Sequence, residues 1–267
     1  MGMNAAEIEE AAAALLGAER SGCQIGLLSL AHPAIDMDDA YAIQAALVRR
    51  KVAGGDPVVG WKIGLTSRAM QQALGIDIPD SGVLLGSMQF ASGAHIPAGR
   101  FIQPRIEAEI AFVMKSPLSR SATPREVLEA TDYIVPAIEI LDTRIVRRDA
   151  ASGKARTVFD TISDNAANAG IVTGTPYRDV AGLDLRWIGA IVSRDDEIEA
   201  TGLGAGVLGD PALSVAWLAE RLGRYGEAIA PGQIVLSGSF IAPVECPPGS
   251  RIEADFGPLG TVSCQFG

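Results

Sequence analysis

Histidine and cysteine are scarce in this 267-residue sequence: His32 and His95 are the two histidines, and Cys23, Cys246 and Cys264 form no close pair and no Cys-x-x-Cys spacing. Neither a zinc site nor a disulfide framework is suggested, and a reduced cytoplasm is the expected compartment. Positive charge is short as well, 22 Lys and Arg against 32 Asp and Glu for a formal net charge of −10. Such a balance repels phosphate backbones, so nucleic acid is not an expected partner. No apolar run reaches membrane-spanning length, and the start carries Glu7, Glu9 and Glu10 in place of a basic region ahead of an apolar stretch, so neither membrane insertion nor export is expected. A Gly-x-Ser-x-Gly elbow and a Walker motif are missing too. Gly202–Gly209 looks superficially like a dinucleotide loop, but polar Ser193–Glu197 precedes it in place of the first buried strand of a βαβ unit.

What is present, 48% hydrophobic and 20% charged residues, suffices for a sizeable core. Residues 5–20 are Ala-rich with acids early and Arg20 late, which predicts a helix. A second helix begins after Asp36 as cap, carries Met37, Ala40, Tyr41, Gln44, Leu47 and Val48 at helical spacing, and stops at Gly54-Gly55. Residues 1–55 thus read as a helical region. From 56 to 267 the pattern changes to short apolar runs divided by Gly and Pro: Val58–Leu65, Ile106–Met114, Tyr133–Leu141, Ala169–Thr173, Gln233–Ser237, Arg251–Phe256 and Gly260–Phe266. Helices are expected at Ser67–Leu74, Pro124–Thr131 and, capped by Asp210, Pro211–Tyr225. The fold class is α+β, a mixed β-rich body with N-terminal and peripheral helices and no internal repeat.

Strict alternation over Arg105–Phe112 sends Ile106, Ala108, Ile110 and Phe112 to one face and Glu107 and Glu109 to the other. Two carboxylates side by side repel unless a cation lies between them. Taken alone, such a pair is more often a solvated sheet face paired with lysines. Glu139 changes this, because Val135–Leu141 is otherwise apolar and an ionised carboxylate there is costly without a partner. Three carboxylates with water completing the shell suit Mg²⁺ or Mn²⁺. Lys62 lies in an apolar strand between Gly60 and Gly64, either as a catalytic or anion-holding group or as a snorkelling edge lysine. Ile78–Gly82 has the chemistry of a turn, which makes Asp80 structural by spacing. Asp160–Gly170, with Ser163 in it, either lines a pocket with hydroxyls and amides or is a loop of Asx turns.

Gly60–Ser67, Pro104–Phe112, Pro136–Glu139 and Asp160–Gly170 together resemble the hydratase/decarboxylase family of meta-cleavage pathways in aromatic breakdown, within the fumarylacetoacetate hydrolase superfamily. The resemblance runs in unchanged order from about Ala40 to the C-terminus. It implies a mixed β-rich roll assembled into a homo-oligomer, a small 2-oxo acid as substrate, Glu107, Glu109 and Glu139 as metal ligands, and Lys62 and Asp80 as acid/base residues, which displaces the turn reading of Asp80. Val158–Gly170 and the polar insert Arg147–Arg156 narrow it to the branch that hydrates a seven-carbon 2-oxo-alkenedioate. Trp61 and Ser81 depart from that branch, which carries His and Tyr there. Asp80 favours hydration, since the family's decarboxylases have an aliphatic stretch at that point. A second substrate carboxylate calls for a cation, and Arg68, close after the Lys62 strand, is the candidate; Ser163 is the candidate for a substrate oxygen.

Overall fold

Among the described residues thirteen strands carry the body: β1 (Val58–Gly64), β2 (Asp80–Leu85), β3 (Gln89–Ala91), β4 (Ala94–Ile96), β5 (Arg105–Met114), β6 (Thr131–Leu141), β7 (Asn168–Thr173), β8 (Gly189–Arg194), β9 (Glu197–Leu203), β10 (Ile234–Leu236), β11 (Val244–Glu245), β12 (Arg251–Asp255) and β13 (Thr261–Phe266). The computed structural model describes residues 2–68, 71–72, 76–118 and 120–267. One sheet runs β2-β1-β10-β5-β6-β7-β3 with β11 also on β5, and a second runs β4-β13-β12-β8-β9. Pairing is mixed, with β1–β10 parallel and β5–β6 antiparallel.

The alternation in β5 explains how the sheets meet. Ile106, Ala108, Ile110 and Phe112 enter the main core together with Ile138, Val192, Ile252 and Val262, so one face of the first sheet is sealed by the second. The other face keeps a small apolar patch of Leu84, Ala111, Val135, Ala137, Ile171 and Leu236 around the glutamates. Burying both faces of β5 and β6 gives these strands their near-continuous burial.

Ala5–Ser21 and Met37–Ala53 are helices, capped by Asn4 and Asp36, and a short helix at Leu28–Ala31 lies between them. Leu15, Ile43 and Leu47 pack with Ile145 in a separate apolar cluster. Pro124–Ala130 and Pro211–Arg224 are helical as their Pro-opened patterns predict. The helix expected at Ser67–Leu74 lies partly outside the described residues; within them Gln71 N–H donates to Ser67 O at 3.0 Å. Among the described residues no helix is long and apolar enough to cross a membrane.

Two expectations give way. Ile78–Gly82 is not a free turn: Asp80, Ser81 and Gly82 start β2 and pair with Gly64, Ile63 and Lys62. Turn residues are drawn into a strand because β1 offers a ladder on one side. Asp160–Gly170 is more ordered than a loop, forming a Thr157-capped helix at Val158–Ser163, a turn through Asn165–Ala167 at φ of 52–59°, and then β7.

Candidate metal and acid/base site

The β5–β6 register sets Glu107 directly opposite Glu139 and Glu109 opposite Ala137, so three carboxylates gather on the face away from the main core. One oxygen from each lies within 4.8 Å of the others. Glu109 and Glu139 are fully buried and Glu107 half-buried. Gly238 N–H donates to Glu109 Oε2 at 2.8 Å, yet among the described residues Glu109 Oε1 and both oxygens of Glu139 have no hydrogen-bond partner. Burial, then repulsion from Glu139, pushes Glu107 up to about 8; the same two causes and Glu107 raise Glu109 well above its usual range. Burial also raises Glu139, against the opposing pull of Lys62. Orphaned, mutually repelling buried oxygens fit a hard divalent cation, which neutralises them and replaces their missing partners.

Lys62 projects from β1 on the same face. β1 is flanked by β2 and β10, and Lys62 is only 3% exposed, so it is no snorkelling edge residue. Its Nζ stands 3.4 Å from Glu139 Oε1. Burial works against its ammonium, but Glu139, Asp80, Glu107 and Glu109 outweigh burial and raise its pKa. Asp80 is 2% exposed, and its Oδ1 is unpartnered among the described residues. Burial raises its pKa, countered in turn by Lys62, a Gly64 backbone hydrogen bond and Arg221. A Cβ on Gly64 would stand 2.3 Å from Asp80 Oδ1 and 2.9 Å from Lys62 Nζ. The two groups therefore converge on space that glycine leaves open.

Other residues singled out by sequence fall elsewhere. Most polar groups of Asp160–Gly170 have structural partners: Asp160 accepts from Ser29, Asp164 pairs with Arg144 at 2.5 Å, and Asn165 bonds both backbone groups of Val83. Ser163 is the exception among its hydroxyls in being fully buried with Oγ unpartnered among the described residues. Arg68 is exposed, and no hydrogen bond among the described residues links it to the carboxylates. Trp61 and Ser81 occupy the reverse face of the β1–β2 pair, because Lys62 alternates with Trp61 and Asp80 with Ser81. They line a cleft of about 480 Å³ with Tyr41, Arg221 and Tyr225, away from the glutamates. Sequence reasoning missed the Gly238 N–H; the small polar run Ser237-Gly238-Ser239 after an apolar strand was the available signal.

No protein-family model matches the chain. It is 48% identical over 250 residues to 2-oxo-hept-4-ene-1,7-dioate hydratase of Escherichia coli, covering 93% of this chain and 94% of the relative. The solved structure of 4-oxalocrotonate decarboxylase from Pseudomonas putida G7, complexed with magnesium and adipate, superposes with a TM-score of 0.91 at 32% identity, covering 99% of this chain and 98% of that one. A putative fumarylacetoacetate hydrolase family protein from Yersinia pestis CO92, 14% identical with a TM-score of 0.56 over 79% of this chain and 94% of that one, shares the fold alone. The chain belongs to the hydratase/decarboxylase family, on the fold of the fumarylacetoacetate hydrolases.

Proposed function

We propose that this enzyme is a divalent-metal hydratase of a 2-oxo-alkenoate, converting 2-oxohept-4-ene-1,7-dioate to 4-hydroxy-2-oxoheptanedioate. The observation that carries this reading is the convergence of three carboxylates, Glu109 and Glu139 with oxygens unpartnered among the described residues, on the buried Lys62 ammonium and the separately buried Asp80. The similarity to the Escherichia coli hydratase, and adipate, a dicarboxylate, in the Pseudomonas putida G7 structure, support a diacid substrate.

Glu107, Glu109 and Glu139 hold Mg²⁺ or Mn²⁺, for which an all-oxygen donor set is suited. Bound there, the ion neutralises the glutamates and, as a Lewis acid, polarises the substrate's C1 carboxylate and 2-oxo oxygen. Asp80 takes a proton from C3 and returns it at C5, which moves the double bond into conjugation with the 2-oxo group. Its carboxylate then takes a proton from water as the water oxygen bonds to C4, and Lys62 gives a proton to C3. Transfer of the proton from Asp80 to Lys62 restores both groups, so one water is added in net. Ser163 bonds a substrate oxygen through its unpartnered hydroxyl, and Arg68 meets the distal carboxylate.

Decarboxylation is the second reading, favoured by the TM-score of 0.91 to a decarboxylase. Incubating the protein and Mg²⁺ with a panel of 2-hydroxydienoates, while following ultraviolet loss and CO₂ release, separates the two. Hydration predicts loss of the dienoate chromophore without CO₂. Release of CO₂, or a higher kcat/KM for the five-carbon 2-hydroxypentadienoate than for the seven-carbon diacid, overturns the assignment, and full activity in excess EDTA overturns the metal. The working unit is a homo-oligomer: Trp187, 73% exposed, and Ile191, Ile198 and Leu203 form an apolar surface along β8 and the edge strand β9. Light scattering at micromolar concentration tests this, and a monomeric mass refutes it.

A further inference from the structure

We propose that Tyr41 and Arg221 are positioning residues for Asp80, acting through Ser81 from the reverse face of the sheet; the proposal rests on the acid/base reading of Asp80 given above.

Strand β2 ends the first sheet, so among the described residues it has a ladder with β1 on one side and none on the other. An open edge leaves every second residue with an unpaired N–H and C=O, here at Ser81 and Val83. Side chains take the place of the missing strand. Ser81 N–H donates to Tyr41 Oη at 3.2 Å, and Gln44 Nε2 donates to Ser81 O at 2.9 Å. The Ser81 side chain is held as well, since Arg221 Nε donates to its Oγ at 3.2 Å. The Arg221 guanidinium lies 3.7 Å from the centroid of the Tyr41 ring. Helix Met37–Ala53 and helix Pro211–Arg224 are thereby joined at the one residue that follows Asp80 in the chain.

Beyond the clamp, Asp80 is held by a backbone hydrogen bond from Gly64 in the paired strand β1 and by the charge of Lys62. It is the first residue of β2, and its Oδ1 has no hydrogen-bond partner among the described residues. Its carboxyl therefore inherits its place in part from the strand, and the strand from the clamp on Ser81. An acid/base group must sit within hydrogen-bond reach of the atoms it serves, and displacement by a fraction of an ångström costs rate without costing affinity. The clamp touches neither Lys62 nor the glutamates, which leaves cation binding outside its influence.

Tyr41→Phe removes the hydroxyl that accepts from Ser81 while keeping the ring under Arg221. Arg221→Lys keeps the charge and removes Nε. Each should lower kcat by about three- to tenfold, the effect of one net hydrogen bond on a positioned group, with KM within about twofold of wild type. Mg²⁺ affinity, measured by calorimetry, should not change. The deciding measurement is the cycle with Asp80→Asn: a residue acting through Asp80 has no further effect once Asp80 is disabled. Loss of kcat in the wild-type background that disappears in the Asp80→Asn background supports the proposal. Equal losses in both backgrounds, or none in either, overturn it while leaving Asp80 in the mechanism. Near-wild-type kcat in Asp80→Asn alone overturns the acid/base reading, and the positioning role with it.

Discussion

Glu107 and Glu139 face each other across the β5–β6 ladder, a like-charge pair at a position where such pairs cost stability. The strands hold them there because the opposite face of each belongs to the main core: Ile106 pairs with Ile140 and Ala108 with Ile138. A one-residue slip would carry the glutamates into that apolar core and the isoleucines onto the face of the carboxylate site. Packing on one face thus enforces repulsion on the other, and the repulsion is relieved only by protons or by a cation.

The pH dependence of stability follows from that relief. Burial first, then the neighbouring acids, sets Glu107 at about 8 and Glu109 well above its ordinary value of 4.5. A carboxylate with a raised folded pKa stabilises the fold while protonated and loses that contribution as pH climbs from its unfolded to its folded value. The thermal midpoint of the metal-free protein should therefore fall between about pH 5 and pH 8, and the rise produced by Mg²⁺ should be largest at the upper end. Glu109→Gln should abolish activity, flatten the pH profile and raise the metal-free midpoint at pH 8. A midpoint indifferent to pH and Mg²⁺ in the wild type would refute the account; differential scanning fluorimetry decides it.

Asn165 should be worth more to stability than a polar turn residue normally is. Its Oδ1 accepts from Val83 N at 2.8 Å and its Nδ2 donates to Val83 O at 2.9 Å, so it closes the buried edge of β2 while holding φ at 53°. Asn165→Ala strands the Val83 N–H and places alanine in the left-handed region, for a loss of about 2–3 kcal/mol. Val83 O keeps Asn168 Nδ2 at 3.1 Å, which limits the loss. Asn165→Gly isolates the hydrogen-bond part by removing the conformational part. Urea unfolding of both variants measures the two, and a change below about 0.5 kcal/mol in Asn165→Ala would show that the edge is satisfied some other way.

The fold was legible where periodicity was strong. Arg105–Phe112 and Val135–Leu141 alternate or run apolar, and both become central strands carrying the three glutamates. Pro211 and Asp210 likewise marked a helix start that the structure shows. Asp80 was illegible by spacing, because Pro79-Asp80-Ser81-Gly82 has turn chemistry and its strand exists only by virtue of β1 on one side and Tyr41, Gln44 and Asn165 on the other. No local pattern encodes partners 37 to 82 residues away. For the same reason Asp160–Gly170 leaves two readings open by sequence, a pocket lining or a loop of Asx turns, and the distant partners Arg144 and Val83, on which Asp164 and Asn165 spend their polar groups, are not encoded in it.

The resemblance leads one to expect histidine at position 61, but the Trp61 side chain lies on the face opposite Lys62 and donates through Nε1 to Gln233 Oε1 at 3.1 Å. Trp61→His should therefore leave the kcat/KM ratio between the seven-carbon diacid and the five-carbon monoacid within about twofold of wild type, since substrate discrimination needs a changed pocket contact. It should lower the thermal midpoint, because a half-buried indole packed against the core is lost. A shift of the ratio beyond about tenfold would place Trp61 in the substrate pocket after all.

Two glycines of the same strand separate stability from catalysis. Gly60 and Gly64 both lie in β1, and a Cβ at either would collide, but with different atoms. At Gly60 it would meet the backbone oxygen of Ile234 at 1.9 Å, in the parallel ladder with β10. Main chain in a central pair cannot step aside, so Gly60→Ala should cost several kcal/mol, about 3 or more, and yield poorly folded protein. At Gly64 the nearest atoms are the far ends of side chains, Asp80 Oδ1 at 2.3 Å and Lys62 Nζ at 2.9 Å. These ends can rotate away, so Gly64→Ala should fold with a midpoint close to wild type while both proposed acid/base groups leave their places. Its kcat should fall by about 10²-fold or more, as displacement of a proton-transferring pair requires. Mg²⁺ should still bind, because the methyl group does not approach Glu107 or Glu109 among its nearest contacts. Circular dichroism, calorimetry with Mg²⁺ and steady-state kinetics on the two variants test the contrast. A folded, Mg²⁺-binding Gly64→Ala enzyme with undiminished kcat would mean that the convergence of Lys62 and Asp80 plays no part in the reaction.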